Sequence, residues 1–222
     1  MGQRTRRTQD ERSAETQRKL LDATIDCLVE YGYSGMTTAR VVARAGVTRG
    51  AQAHHFQTKA DLVTAALRHL ALIRADQALQ EVTRVPLADD PLGALLELIW
   101  EIHNGPVFTA TVELWLAART DPELREQIAV VEPTATSSLI GFVNTFPVDR
   151  PIRQEILNYV YTVMDTVRGL LLGGFAFADP AQLDARWKRA KDELRSLAET
   201  RLAAHDLTLS QVIALLDTQP AK

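Results

Sequence analysis

An all-α fold of nine or ten helices is what this chain predicts, and three observations predict it. Apolar residues recur at three- and four-residue spacing along nearly its whole length. No segment alternates apolar and polar residues for long enough to argue a strand. Proline, glycine and aspartate cluster at intervals of about one helix length, where helices must stop. At 222 residues and 46% hydrophobic, the chain can build one large domain, or a small one fused to a larger.

The first helix begins near Thr8, which with Glu11 has capping-box spacing, and runs through Leu20, Leu21, Ile25 and Leu28 to Gly32. Thr37 or Thr38 caps a short second helix with Val41, Val42 and Ala45 on one side. Gly46 supplies a tight bend and Val47 plugs the space between helices. Thr48 then caps a third helix over Arg49 to Phe56. A fourth starts at Thr58, with Asp61 three residues on, and carries the stripe Leu62, Val63, Ala66, Leu67, Leu70 and Ile73 as far as Thr83. Pro86 and Pro91 end it and open a second region. There the pattern predicts helices over 91–104, 107–119, 122–145 (interrupted at Pro133), 151–178, 182–205 and 209–217. The breaks are Asn104-Gly105-Pro106, Asp121-Pro122, Pro147 to Pro151 and Asp179-Pro180, and Thr208 with Gln211 forms a last capping box.

Residues 37–61 carry the function. They read as a helix-turn-helix followed at once by a capped helix. The two-turn helix after Thr48 has small residues, Gly50 and Ala51, at its start and the polar Arg49, Gln52, His54 and His55 along it. A short helix of that kind enters a major groove, so the chain is expected to bind DNA. Charge agrees. Residues 1–60 hold ten basic and six acidic side chains, a net +4, so the remainder carries −7 to reach the chain's −3. A basic head on an acidic body is the footprint of one end meeting phosphate.

The same residues resemble the tetracycline-repressor-type (TetR) family of bacterial transcription regulators, most closely from Leu20 to Leu62. The elements are Gly32-Tyr33 through Thr37 (G-Y-x-x-x-T), the run A-R-A-G-V-T-R-G-A at Ala43 to Ala51, and H-H-F followed by T-K-A-D-L at His54 to Leu62. The run at Glu113 to Arg125 resembles a sixth-to-seventh helix junction in part of that family. The resemblance implies a DNA-binding domain at 1–57 and an effector-binding and dimerisation domain at 58–222, acting as a homodimer on a palindromic operator. It further implies that Thr37 and Thr38 meet phosphate and that Thr48, Arg49, Gly50 and Ala51 face the groove, Arg49 reaching a guanine edge. His54, His55 and Lys59 would grip sugar-phosphate, Lys59 with help from the start of the fourth helix. Where the family usually has Leu-Tyr, this chain has Gln52-Ala53. Ala53 cannot anchor a phosphate, and Gln52 either reaches solvent or reaches the DNA.

Other features are read more plainly. His54 and His55 point about 100° apart on a helix, with no Cys, Asp or Glu one turn away, so no metal is expected. Arg4, Arg6 and Arg7 form either a minor-groove arm or a solubilising tail. Trp100, His103, Trp115 and Phe142 are candidates to line an effector pocket, with ordinary core as the alternative. Gly169 and Gly173, inside the apolar run Gly169 to Ala178, allow close helix approach and with the helix at 182–205 suggest a dimer seam. Cys27 reads as a buried filler. The polar, basic start of the chain has no apolar stretch behind it, and the apolar run is too short to span a bilayer, so a soluble cytoplasmic protein is expected.

The leading expectation is a repressor released by a small-molecule effector, with no cofactor. Two alternatives are an architectural DNA binder, against which the acidic body argues, and a helical enzyme. For the enzyme, the chain offers no Ser-His-Asp grouping, phosphate loop, paired carboxylates or metal-ligand spacing.

Overall fold

A computed structural model describes residues 8–82, 85, 88–144 and 147–217. Among them it contains ten α-helices and no strand. They are α1 (Gln9–Gly35), α2 (Thr38–Ala45), α3 (Arg49–His55), α4 (Lys59–Val82), α5 (Pro91–His103), α6 (Pro106–Ala118), α7 (Pro122–Asn144), α8 (Arg150–Gly174), α9 (Pro180–Ala203) and α10 (Leu209–Asp217). The Arg4, Arg6 and Arg7 arm lies outside the described residues.

Most starts are decided by side chains that satisfy the first orphan N–H groups. In α1, Thr8 accepts from the Glu11 N–H and the Glu11 carboxylate accepts from the Thr8 N–H. Thr58 and Asp61 do the same for α4, each bond 3.0 Å long. The Asp-Pro pairs that read as breaks are also starts: Asp90, Asp121 and Asp179 accept from Gly93, Leu124 and Ala181, with proline just inside the helix. Thus α9 begins at Pro180, two residues before the expected position. α8 ends at Gly174 rather than near 178, because the pair Gly173-Gly174 has low helix propensity. α7 runs through Pro133 without the expected interruption.

The chain packs as two compact units, residues 1–72 with 106–135 and residues 73–105 with 136–222. In the first, α1 packs on α2 and α6 around fully buried Leu20, Leu28, Met36, Val41, Leu62 and Leu114. Val47 packs against this core, as its place between the helices requires. Gly46 adopts φ 64, ψ 33, the left-handed conformation that ends α2. Cys27 is wholly buried there, and burial pushes its thiol pKa up.

In the second unit α5 packs against α8 and α9. Asp90 both caps α5 and pairs with Arg195, and a Cβ at Gly93 would sit 2.3 Å from its carboxylate, so only glycine fits. Arg201 meets Glu155 at 3.2 Å. Tyr159, buried on α8, donates its hydroxyl to the Leu194 carbonyl at 3.1 Å, and burial pushes its pKa up to about 12. Because the folded phenol holds its proton more tightly than the ordinary value of 10, its contribution is whole below pH 10 and disappears as pH rises toward 12. Tyr159→Phe is therefore expected to lessen the loss of stability across that window. Urea titrations at the two ends of the window check it.

Candidate nucleic-acid interface

α2 and α3 are short, so their ends matter as much as their lengths. Thr37 accepts from the Arg40 N–H at 3.3 Å and Thr48 from the Ala51 N–H at 3.2 Å. Each hydroxyl uses a lone pair on its cap and keeps its own proton to donate, for instance to a phosphate oxygen. Thr37 and Thr48 are exposed, and Thr38 is half-buried.

α3 has one inward and one outward side. Arg49, Gly50, Ala53 and His54 are exposed, Ala51 and His55 are half-buried, and Gln52 and the capping Phe56 are buried. No hydrogen bond or ion pair engages the Arg49 guanidinium among the described residues. A Cβ at Gly50 would meet nothing closer than the Thr48 hydroxyl at 3.9 Å. This chain's own packing therefore does not require glycine there, which leaves room for another molecule to approach the backbone. The His54 and His55 rings meet edge to face at 5.4 Å.

One expectation is corrected. Gln52 reaches neither solvent nor a groove: it is 8% exposed, and its amide donates to the Phe56 carbonyl at 2.7 Å. Its backbone carbonyl accepts from the Phe56 N–H at 2.8 Å, so residues 52 and 56 close the end of α3 reciprocally. A buried amide needs a partner, and the last carbonyls of a short helix supply one. Lys59, expected at sugar-phosphate, also has a place inside the chain. It is half-buried, stands 4.0 Å from the Tyr33 ring centroid and donates to the Tyr33 carbonyl. Burial lowers its pKa.

Several cations counted in the basic head are also occupied. Arg44 pairs with Glu30 and lies 3.8 Å from Asp26. Arg40 donates to the Gly35 carbonyl and covers the Tyr31 ring at 4.4 Å. Hydrogen bonds from Tyr31 and Arg44 hold the Glu30 carboxyl below its ordinary pKa.

Sequence reading missed a second layer. Gly32 interrupts α1 with φ 65 and ψ 175, a region open to glycine. There the Tyr33 N–H donates to Glu113 of α6 at 3.3 Å. The signal was present as Gly32-Tyr33 and as Glu113, but 80 residues separate them and nothing in either motif names the other.

The four effector candidates fall in different places. Trp100 is buried in the second unit, stacked on Trp187 at 4.7 Å, and His103, half-buried on the same helix, has Nδ1 2.8 Å from the Ile99 carbonyl. Trp187, also missed, donates to Glu97, which Lys191 pairs with as well. Burial works to raise the Glu97 pKa, but those two hydrogen bonds outweigh it and the net shift is downward. Trp115 is half-buried in the first unit, edge-on to Phe108 at 6.3 Å. The Phe142 side chain lies outside the described residues.

A helix-turn-helix at the head of an all-α chain defines a transcription-factor class, and comparison gives it a family. The family model for bacterial regulatory proteins of the tetR family matches residues 20–66. The HTH-type transcriptional regulator CymR of Pseudomonas putida is 32% identical over 89% of this chain and 96% of its own length. A putative TetR-family regulator of Mesorhizobium loti, only 15% identical, shares the fold with a TM-score of 0.60 over 84% of this chain and 98% of its own. The multidrug binding protein EbrR in complex with ethidium is 25% identical, with a TM-score of 0.53 over 81% of this chain and 98% of its own. The chain belongs to the tetR family. It is a DNA-binding transcriptional regulator and not an enzyme. No helix among the described residues is long and apolar enough to cross a membrane.

Gln52→Leu is expected to lower stability by about 1–3 kcal/mol, because the Phe56 carbonyl loses its partner. Preference for cognate over random DNA should stay unchanged, since the side chain faces inward. Chemical denaturation and DNA titration at fixed salt read the two effects separately.

Proposed function

We propose that this regulator is a repressor that binds a palindromic operator as a homodimer and is released by a small, largely apolar effector. The observation that carries the DNA half is the outward side of α3, where Arg49, Gly50, Ala53 and His54 are exposed while Gln52 and Phe56 are buried. In this reading Arg49 reaches a guanine edge, with Gly50 and Ala51 allowing close approach, and Thr37, Thr38, Thr48, His54 and His55 position the phosphates. Residues 1–57 do the reading, and residues 58–222 hold the effector and the dimer seam.

Support for the seam comes from α8. Tyr161, Leu172 and Phe175 are large, apolar or aromatic and exposed, and a Cβ at Gly169 or Gly173 would meet nothing within this chain. An exposed apolar face with small residues along it suits a second copy of the same helix. To enter successive major grooves, the two α3 helices of a dimer must lie roughly 34–36 Å apart, one turn of B-form DNA. Effector binding is supported by EbrR, solved with ethidium. Trp100, His103 and Phe142, which belong to the second unit, remain the proposed contacts. Release would act through α4, a continuous helix that starts three residues after α3 ends. A coupling of about 1–3 kcal/mol changes occupancy 5–150-fold.

Arg49→Ala is expected to weaken binding to DNA from the protein's own upstream region by about 1–3 kcal/mol, with a smaller effect on random DNA. Fluorescence anisotropy at fixed salt measures both, and an equal loss on the two DNAs rejects base reading by Arg49. Gly173→Arg places a long cation on the proposed seam and is expected to yield monomers by light scattering. A dimer that survives it moves the seam elsewhere.

A further inference from the structure

We propose that Glu113 is a positioning residue through which α6 sets the angle at which α2 and α3 leave α1. This rests on α3 being the DNA-reading helix. The Gly32 conformation, φ 65 and ψ 175, is the point at which α1 kinks, close to its end at Gly35. Immediately after it, both sides of one residue are held from elsewhere. The Tyr33 N–H donates to Glu113 Oε2 at 3.3 Å, and the Tyr33 carbonyl accepts from Lys59, whose ammonium also lies over the Tyr33 ring. The turn is thus clamped by α6 on one side and α4 on the other.

Two observations make Glu113 more than a space filler. It is half-buried, yet among the described residues no cation pairs with it, and the polar group it meets is that backbone N–H. A Cβ at Gly32 would stand 2.6 Å from the same carboxylate oxygen, so the carboxylate occupies the space a side chain would need. Three residues separate Tyr33 from the α2 cap at Thr37. Rotation at the Gly32 dihedrals is therefore carried into the whole pair. α6 is itself fixed at its far end, where Arg125 donates to the Ala118 and Arg119 carbonyls at 3.1 and 2.9 Å. A bond of 3.3 Å is near the limit of hydrogen bonding, so a shift of α6 of about 1 Å is enough to break it.

The experiment compares wild type, Glu113→Ala, Glu113→Gln, Glu113→Asp, Gly32→Ala and Gly32→Ala with Glu113→Ala, with Arg49→Ala as control. DNA from the protein's own upstream region and a scrambled duplex of equal length are titrated at fixed salt. In parallel, amide hydrogen exchange is followed at Tyr33 and through residues 38–55. Glu113→Ala and Glu113→Asp are expected to lower affinity for the upstream DNA about tenfold, within the usual range of a coupled site, and to speed exchange at Tyr33 and in α2–α3. Glu113→Gln keeps an acceptor oxygen and should restore both. The Gly32→Ala defect should shrink when Glu113 is also alanine, because the clash is gone.

Equal losses for Glu113→Gln and Glu113→Ala, or strictly multiplicative effects at positions 32 and 113, overturn the proposal. So does unchanged exchange at Tyr33 in Glu113→Ala. Loss of binding in Arg49→Ala with full binding in Glu113→Ala overturns it while leaving α3 as the reader. If no variant or wild type prefers the upstream duplex, the reading of α3 fails instead, and the exchange data still decide whether Glu113 holds the turn.

Discussion

A seven-residue helix cannot hold itself in water, because nucleation costs more than two turns of backbone bonding return. Everything α3 can do therefore depends on how it is anchored. Thr48 satisfies a donor at its start, Gln52 and Phe56 close its end reciprocally, and Val47 and Phe56 pack into the core of the first unit. Those anchors consume one side of the helix and leave the other unengaged. The exposed side has a small residue at Gly50 and, at Arg49, a guanidinium without a partner among the described residues. Anchoring and presentation are two consequences of the same burial pattern.

The same logic extends one layer outward. The helix-turn-helix pair hangs from a turn whose backbone conformation is open to glycine, and that turn is held by Glu113 and Lys59. Lys59 shows how a basic side chain of the motif also serves as an internal support. Half-buried against an aromatic ring, its ammonium loses solvent, its pKa falls, and a backbone carbonyl takes one of its protons in a hydrogen bond. Arg44 is similarly diverted to Glu30. The net +4 of the first 60 residues thus overstates the charge free to meet phosphate.

Legibility in the sequence followed the range of the interaction. Caps at Thr8, Thr37, Thr48, Thr58 and Thr208 each involve a partner three residues away; four were readable from spacing, and for α2 spacing left Thr37 and Thr38 open. The left-handed turn at Gly46 was readable for the same reason. Gln52 was not, because whether an amide faces outward depends on how α3 lies against its neighbours. Trp187 went unnoticed beside Trp100 because the 86 residues between them hide a stack that only packing of α5 against α9 creates.

The order of ten helices, the helix-turn-helix and the family are properties of the sequence, because periodicity, capping and turn chemistry are local and additive along a chain. Which residues of that motif face outward and which cations are already paired was decided only by tertiary structure, as was the role of Glu113 in holding a turn 80 residues away. The physical reason is that burial and pairing belong to surfaces brought together in space, and no spacing rule along one helix specifies what will lie against it.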